Sequence, residues 1–377
     1  LEQKSGKMES MGMKPLFGNI YKDKVCLVTG HTGFKGSWLA FWLTTLGAKV
    51  IGFSLQPPTR PNHFELLNTD YISIIGDIRN KVAIDNAVIK NQPDIVFHLA
   101  AQPLVRRSYQ DPVETFETNV LGVLNVFEAC KKAQCVKAII NITSDKCYEN
   151  KEWIWGYRET DPMGGHDPYS ASKGCSEILT SSYRRSFFNP EYYGSRHNTL
   201  LASVRAGNVI GGGDWAEDRI VPDIIRAASQ KACVSIRNPK AVRPWQHVLE
   251  PLSGYLTLGW KLLEGQKEYA AEWNFGPDSK SNSSVKELVK LAQTYWPVIN
   301  YSEAHEAQAV HEANLLMLDC TKAAKILHWQ PVWDFQQTIQ KTIVWYKEYY
   351  DSHVVNSEKD LQAFINDARE KGISWSL

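Results

Sequence analysis

Cysteine is scarce in this sequence: seven thiols in 377 residues, an odd number, with no Cys-x-x-Cys pair and no regular spacing. That pattern excludes a disulfide framework and a cysteine zinc site, and points to reduced thiols packed as small side chains. Long hydrophobic runs are missing too. No uninterrupted apolar segment approaches the roughly 20 residues needed to cross a bilayer. Neither sign of charge dominates, with 42 lysines and arginines against 41 acids, which argues against nucleic acid or a membrane surface as partner. His98, His247 and His311 form no metal-spaced cluster, so no catalytic metal is expected. Internal repeats and low-complexity segments are absent. Residues 1–20, with Met8, Met11 and Met13, lack the apolar core of a signal peptide and read as a flexible leader. The expected location is the cytoplasm.

What is present is a rhythm. Lys24–Thr29, Lys49–Ser54, Ile72–Ile75, Asp94–His98, Lys137–Thr143 and Thr199–Arg205 are short apolar runs ended by polar or small residues, and read as buried strands. Helical spacing appears between them at Ser37–Leu46, Asn119–Lys132 and Tyr169–Arg185. Alternation of this kind predicts an α/β fold, a doubly wound parallel sheet of Rossmann type covered on both faces. After about Arg205 the pattern changes. Gly211-Gly212-Gly213 breaks the chain, and prolines punctuate helical stretches at Pro222–Gln230, Ser284–Tyr295, Thr321–Leu327 and Asp334–Tyr350. The expected division is a dinucleotide-binding domain over 21–207 and a smaller mixed lobe, mainly 208–377. Segments near 248–263 and 315–319 should cross back to the first.

The loop Gly30-His31-Thr32-Gly33-Phe34-Lys35-Gly36 follows the first strand and opens the first helix. Glycines there permit a tight turn and close approach of a pyrophosphate, and the helix N-terminus supplies N–H donors. Further on, Tyr169 and Lys173 lie four residues apart on one helical face, so both reach the same small volume. A protonated lysine and a nicotinamide cation would both favour the phenolate, turning a poor base into a usable one. Ser144-Asp145-Lys146 ends the fifth apolar run.

The Gly-x-x-Gly-x-x-Gly spacing, followed by Tyr-x-x-x-Lys at this distance, resembles the extended short-chain dehydrogenase/reductase family from about Lys24 to Tyr350. The resemblance implies a nicotinamide cofactor held by Gly30, Thr32, Gly33, Phe34, Lys35 and Gly36. Asp77 and Ile78 are expected at the adenine, Leu99, Ala100 and Ala101 along the cofactor backbone, and Thr143, Tyr169 and Lys173 at its reactive end. Many relatives end the second strand with an acid that takes the adenosine ribose; here the place falls on Phe53-Ser54, with Arg60 a few residues on. NAD is the expected cofactor, and NADP the alternative should Arg60 pair with a 2′-phosphate.

Within that family the residues after the fifth strand divide the enzymes by chemistry. Ser144-Asp145-Lys146 resembles the Thr/Ser-Asp-Glu of sugar-nucleotide 4,6-dehydratases, whereas epimerases lack the central acid. With His31-Thr32 and Lys35 in the glycine loop, the resemblance is strongest to the branch acting on CDP-glucose, which supplies deoxysugars for O-antigen and other surface polysaccharide. It implies that Tyr169 takes the sugar 4-hydroxyl proton and Ser144 bonds the same oxygen, while Lys173 holds the cofactor ribose. Asp145, which must be protonated, would then donate to the departing 6-hydroxyl. Lys146 acts at carbon 5, either as base or as stabiliser of the enolate. The competing reading of Asp145 and Lys146 is a plain salt bridge.

For the substrate, a sugar nucleotide, the resemblance points to Gln102, Ser144, Asn208, Arg219, Arg243 and Asn274. Arginine suits the diphosphate because its planar fork binds two oxygens at once. Family members pair two subunits through the helices Asn119–Lys132 and Tyr169–Arg185, so a homodimer is expected, with a tetramer as the higher assembly. Val120, Val123, Val126, Phe127, Ile178 and Leu179 are the apolar positions that face either that partner or the sheet.

Overall fold

The computed structural model describes residues 15–278, 282–303 and 315–377. Met8, Met11, Met13 and His311 lie outside them. Six parallel strands appear where the apolar runs lie: β1 (Val25–Thr29), β2 (Lys49–Ser54), β3 (Ile72–Ile75), β4 (Ile95–His98), β5 (Ala138–Ile142) and β6 (Leu200–Arg205). A seventh strand, Glu272–Asn274, pairs with β6, and the sheet order is Glu272–Asn274, β6, β5, β4, β1, β2, β3. β1 lies between β2 and β4, so the direction of winding switches beside it. Ligand crevices of open α/β sheets form at that point.

Strands buried on both faces need apolar side chains throughout, and β4, β5 and β6 are buried at every position. One face is covered by the helices Phe34–Thr45 and Leu249–Leu263, and Ser357–Glu370 joins the same core through Phe364 against Trp42. Val123, Val126 and Phe127 from the helix Gly122–Ala133 pack on the other. These three therefore face the sheet and not a partner. Ile178, on the helix Pro168–Ser186, is exposed, as are Val113, Phe116, Leu121 and Phe187.

A second core gathers Ile224 and Ile225 of the helix Ile220–Ser229, Leu288 and Val289 of Val285–Tyr295, and Ile339, Ile343 and Trp345 of Phe335–Ser352. Ser284 and Asp334 start the last two helices with reciprocal capping boxes to Glu287 and Gln337, which satisfies N–H groups the helix cannot. Among the described residues, three two-stranded ladders link this region, one of them Gln246–His247 with Val209–Ile210.

The chain joins the fold earlier than a leader through residue 20 implies. Phe17 is fully buried and stacks on Trp375 at a centroid distance of 5.1 Å, and Trp375 stacks in turn on Phe364. All seven cysteines are free. Among the described residues, no helix is long and apolar enough to cross a membrane, and no group of three His, Cys, Asp or Glu is arranged to hold a metal.

Candidate active site

The glycine loop sits where β1 passes into the helix Phe34–Thr45, and its geometry tolerates no side chains at two positions. Gly30 has φ +76°, and a Cβ on it would lie 2.8 Å from the Ala100 nitrogen. A Cβ on Gly36 would lie 2.0 Å from the Gly30 carbonyl oxygen. At Gly33, the N-cap residue, the nearest atom would be 3.4 Å away, so the space above the first helical turn is open. A pyrophosphate needs such a close approach to a helix N-terminus, whose first-turn N–H groups have no partner within the helix. The loop thus fits a dinucleotide, with Leu99 and Ala100 closing its floor. Ala101, next along, is half-buried, and Phe34 packs at the edge of the first core.

At the end of β2, Ser54 is buried and its hydroxyl lies 2.8 Å from that of Thr32. Thr32 donates onward to the Leu55 carbonyl, so Ser54 donates to Thr32 and keeps its lone pairs free as acceptors. Arg60 is exposed. Asp77 follows β3 and accepts from the main chain and guanidinium of Arg79, while Ile78 is buried against Gly122. His31 is turned inward: its ring fills the place of a side chain at Gly52 and bonds Ser73 at 2.7 Å.

The catalytic candidates converge. Asp167 caps the helix Pro168–Ser186 and Pro168 occupies its first turn, which starts the helix one residue before Tyr169. Tyr169 and Lys173 are both buried on its inner face. Burial pushes the Tyr169 phenol up to about 12, and a hydrogen bond with Ser144 opposes it. The cation that further offsets burial there is Arg219, where Lys173 was the expected one. Lys173 is itself lowered to about 8 by burial and by the neighbouring charge of Lys35. Lys35 is lowered to about 8 as well, by burial and by Arg219.

Ser144, Asp145 and Lys146 form a tight turn after β5. The Ser144 hydroxyl donates to Asp145 Oδ1 at 2.9 Å and accepts from the Lys146 nitrogen. Among the described residues, Asp145 makes no ion pair with Lys146. The Asp145 carboxylate instead lies against Gly207, where an added Cβ would come within 1.9 Å of its Oδ2. Gly207 also lines a cavity of about 200 Å³, together with Gly156, Gln246, Gly276, Leu318 and Asp319.

Asn208, the next residue, holds a left-handed φ of +44°, a conformation asparagine tolerates better than most, and its carbonyl accepts from the nitrogen of Gln246. Arg219 donates to Asp214 at 2.9 Å, and its charge acts on both Tyr169 and Lys35. Arg243 precedes Pro244, which borders the cavity.

Three of the expected residues have hydrogen-bond partners within the protein. Gln102 spends both amide protons on Leu104 and Thr115, and its oxygen accepts from Leu104, so it shapes its own loop. Asn274 is fully buried; it donates to the carbonyls of Tyr157 and Asp319 and accepts from Tyr148. The Thr143 hydroxyl turns to Glu177 and the Val204 carbonyl rather than to a cofactor. Glu177 and Arg205 had not been singled out, although Glu177 continues the four-residue spacing of Tyr169 and Lys173.

A model of the GDP-mannose 4,6 dehydratase family matches residues 27–342. The CDP-glucose 4,6-dehydratase of Salmonella typhimurium is 47% identical over 92% of this chain and 98% of its own length. The CDP-paratose 2-epimerase of Salmonella typhi is 27% identical over 85% and 98%. Among solved structures, an epimerase of Methanothermobacter thermautotrophicus superposes with a TM-score of 0.76 at 22% identity, covering 88% of this chain and 95% of the other. A UDP-glucose 4-epimerase of Thermus thermophilus in complex with NAD gives 0.72 at 22%, covering 88% and 100%. Glycine cradle, buried Tyr169–Lys173 pair and aligned length agree: the chain belongs to the GDP-mannose 4,6 dehydratase family, within the extended short-chain dehydrogenases/reductases.

Proposed function

We propose that this chain is an NAD-dependent CDP-glucose 4,6-dehydratase, a lyase that forms CDP-4-keto-6-deoxyglucose and water. The observation that carries the reaction type is Asp145, a buried acid bonded to Ser144 and aimed at Gly207, within the group that includes Tyr169. Sequence identity of 47% to a CDP-glucose 4,6-dehydratase supports the nucleotide. Bound at the glycine loop, NAD supplies the acceptor that takes the carbon-4 hydride and returns it to carbon 6.

Tyr169 removes the 4-hydroxyl proton, and Ser144 bonds the same oxygen. Burial alone leaves the phenol a poor base, so Arg219 and any further cation within a few ångströms favour its ionised form. Lys173 orients the cofactor ribose. Once carbon 4 is a ketone, the proton on carbon 5 is acidic and the 6-hydroxyl lies β to the carbonyl. Asp145 then protonates that hydroxyl as it leaves. Lys146 acts at carbon 5, as the base that takes its proton or as stabiliser of the enolate left when it goes, and a proton returns to carbon 5 as hydride reaches carbon 6. Gly30, Gly33 and Gly36 hold the pyrophosphate, Ser54 accepts from the adenosine ribose, and Asn208, Arg219 and Arg243 receive the sugar diphosphate.

The test is incubation with NAD⁺ and, separately, CDP-, dTDP-, UDP- and GDP-sugars, reading the alkaline absorbance of a 4-keto product. Product from CDP-glucose is expected. Turnover of another donor with none from CDP-glucose would overturn the substrate assignment. Lys146→Met is expected to oxidise the sugar and then stall, so that quenched reactions contain 4-ketoglucose nucleotide with its 6-hydroxyl intact. Undiminished turnover would remove Lys146 from the elimination.

A homodimer is proposed on the exposed Val113, Phe116, Leu121, Ile178 and Phe187, most of them on neighbouring elements, since a large exposed apolar patch is normally covered. Ile178→Glu should shift the sedimentation coefficient to that of a monomer. An unchanged assembly would place the interface elsewhere.

A further inference from the structure

One buried carboxylate takes no part in these steps. Glu177 lies one helical turn beyond Lys173 on the same face. Its side chain is 3% exposed, and so is that of its partner Arg205. Oε2 of Glu177 accepts from Arg205 Nη2 at 2.9 Å and from Ser203 Oγ at 2.7 Å, while Oε1 accepts from the Thr143 hydroxyl. Burial would raise this carboxyl, but Arg205, Thr143 and Ser203 together hold it below its ordinary value.

Two strand ends meet on this ion pair. Thr143 follows β5 and leads directly into Ser144 and Asp145. Arg205 ends β6 and leads to Gly207, the residue against which the Asp145 carboxylate lies. Arg205 also donates from Nη1 to the Tyr148 hydroxyl at 2.5 Å and to the Glu159 carbonyl at 3.1 Å. Tyr148 closes the turn that carries Asp145, its nitrogen accepted by the Asp145 carbonyl. The turn is therefore tied on both sides to groups bonded to one ion pair. Tyr169 and Lys173, by contrast, are held by the backbone of a 19-residue helix. A three-residue turn has few bonds of its own to fix it, so the two halves of the site differ in what positions them.

We propose that Glu177 and Arg205 are positioning residues for Asp145, so that elimination depends on them more steeply than oxidation at carbon 4, in which Ser144 of the same turn also takes part. The proposal rests on the dehydratase reading. Its test is a single-turnover, rapid-quench measurement with CDP-glucose and NAD⁺, following 4-ketoglucose nucleotide as it forms and disappears. Thr143→Val removes the hydroxyl but keeps the ion pair and the branched shape, and Glu177→Gln removes the charge. Both should form the 4-keto species only modestly more slowly than the parent and lose it about 100-fold more slowly, the penalty of a displacement near 1 Å at a reacting group. Thr143→Ser, which keeps the hydroxyl, should behave like the parent.

Equal slowing of both steps in Thr143→Val would mean that the bond supports the fold alone, and the proposal would be overturned. Unchanged decay would overturn it too. If Glu177→Gln does not fold, Thr143→Val decides. Should the parent protein form no 4-keto species from any of the four sugar nucleotides, the dehydratase reading fails and the positioning role with it.

Discussion

Asp145→Asn is expected to separate the two halves of the reaction. The amide keeps the volume and can still accept from Ser144, so the turn after β5 and the Tyr169–Ser144 contact should survive. It has no proton to give to a departing hydroxyl. General acid catalysis contributes typically 10²–10⁴-fold, and product formation should fall by about that factor. Oxidation at carbon 4 should persist, and quenched reactions should contain the 4-ketoglucose nucleotide, still hydroxylated at carbon 6, as the species that builds up. Full turnover by this variant would show that the leaving hydroxyl is protonated by another group, and the assignment of Asp145 would fall.

The second large effect is expected from the smallest change. In Gly207→Ala the new methyl would start 1.9 Å from Asp145 Oδ2 and 2.4 Å from its Cγ. Real contacts never come so close, so one side must give way. The carboxylate is the softer side, but it is held through its other oxygen by Ser144 and lies at the end of a buried strand. Displacing it by about 1 Å costs on the order of 100-fold in kcat, equivalent to about 2.7 kcal/mol of barrier. Because Gly207 also borders the cavity, KM for the sugar nucleotide should rise in the same variant. Overpacking lowers stability by roughly 1–3 kcal/mol, so the melting temperature should fall modestly while the protein stays folded. Unaltered kcat would mean that the carboxylate need not lie where it does.

The first six strands and the glycine loop were legible because their signals are local. A short buried run ended by a polar residue, or a turn that only glycine can make, declares itself within ten residues. Glu272–Asn274 did not declare itself: three residues with a charge and an amide carry no alternation, and they become a strand only because β6 presents an open edge. The site shows the same division. Tyr169, Lys173, Ser144 and Asp145 could be read from spacing and from family resemblance. Gln102, Thr143 and Asn274 carry side chains suited to a ligand, and the fold also gives them partners such as Tyr148, 126 positions from Asn274. Hydrogen-bond saturation is a property of the assembled interior, and no window of sequence contains it. Glu177 lay within reach, since the helical spacing that joins Tyr169 to Lys173 continues to it. Arg205, a lone charge ending an apolar strand, was the matching clue.

The stacking of Phe17 on Trp375 has a bearing on how this protein can be handled. The first and last described elements are neighbours, and they meet near Trp42, at the far end of the helix that the glycine loop opens. Eight residues of helix, about 12 Å, separate that clasp from the cofactor cradle. A short peptide could therefore join Pro15 to Leu377, and the ring so formed could be reopened at an exposed loop elsewhere. Circular permutation would then redraw the order of the chain while leaving the chemistry at the opposite edge untouched.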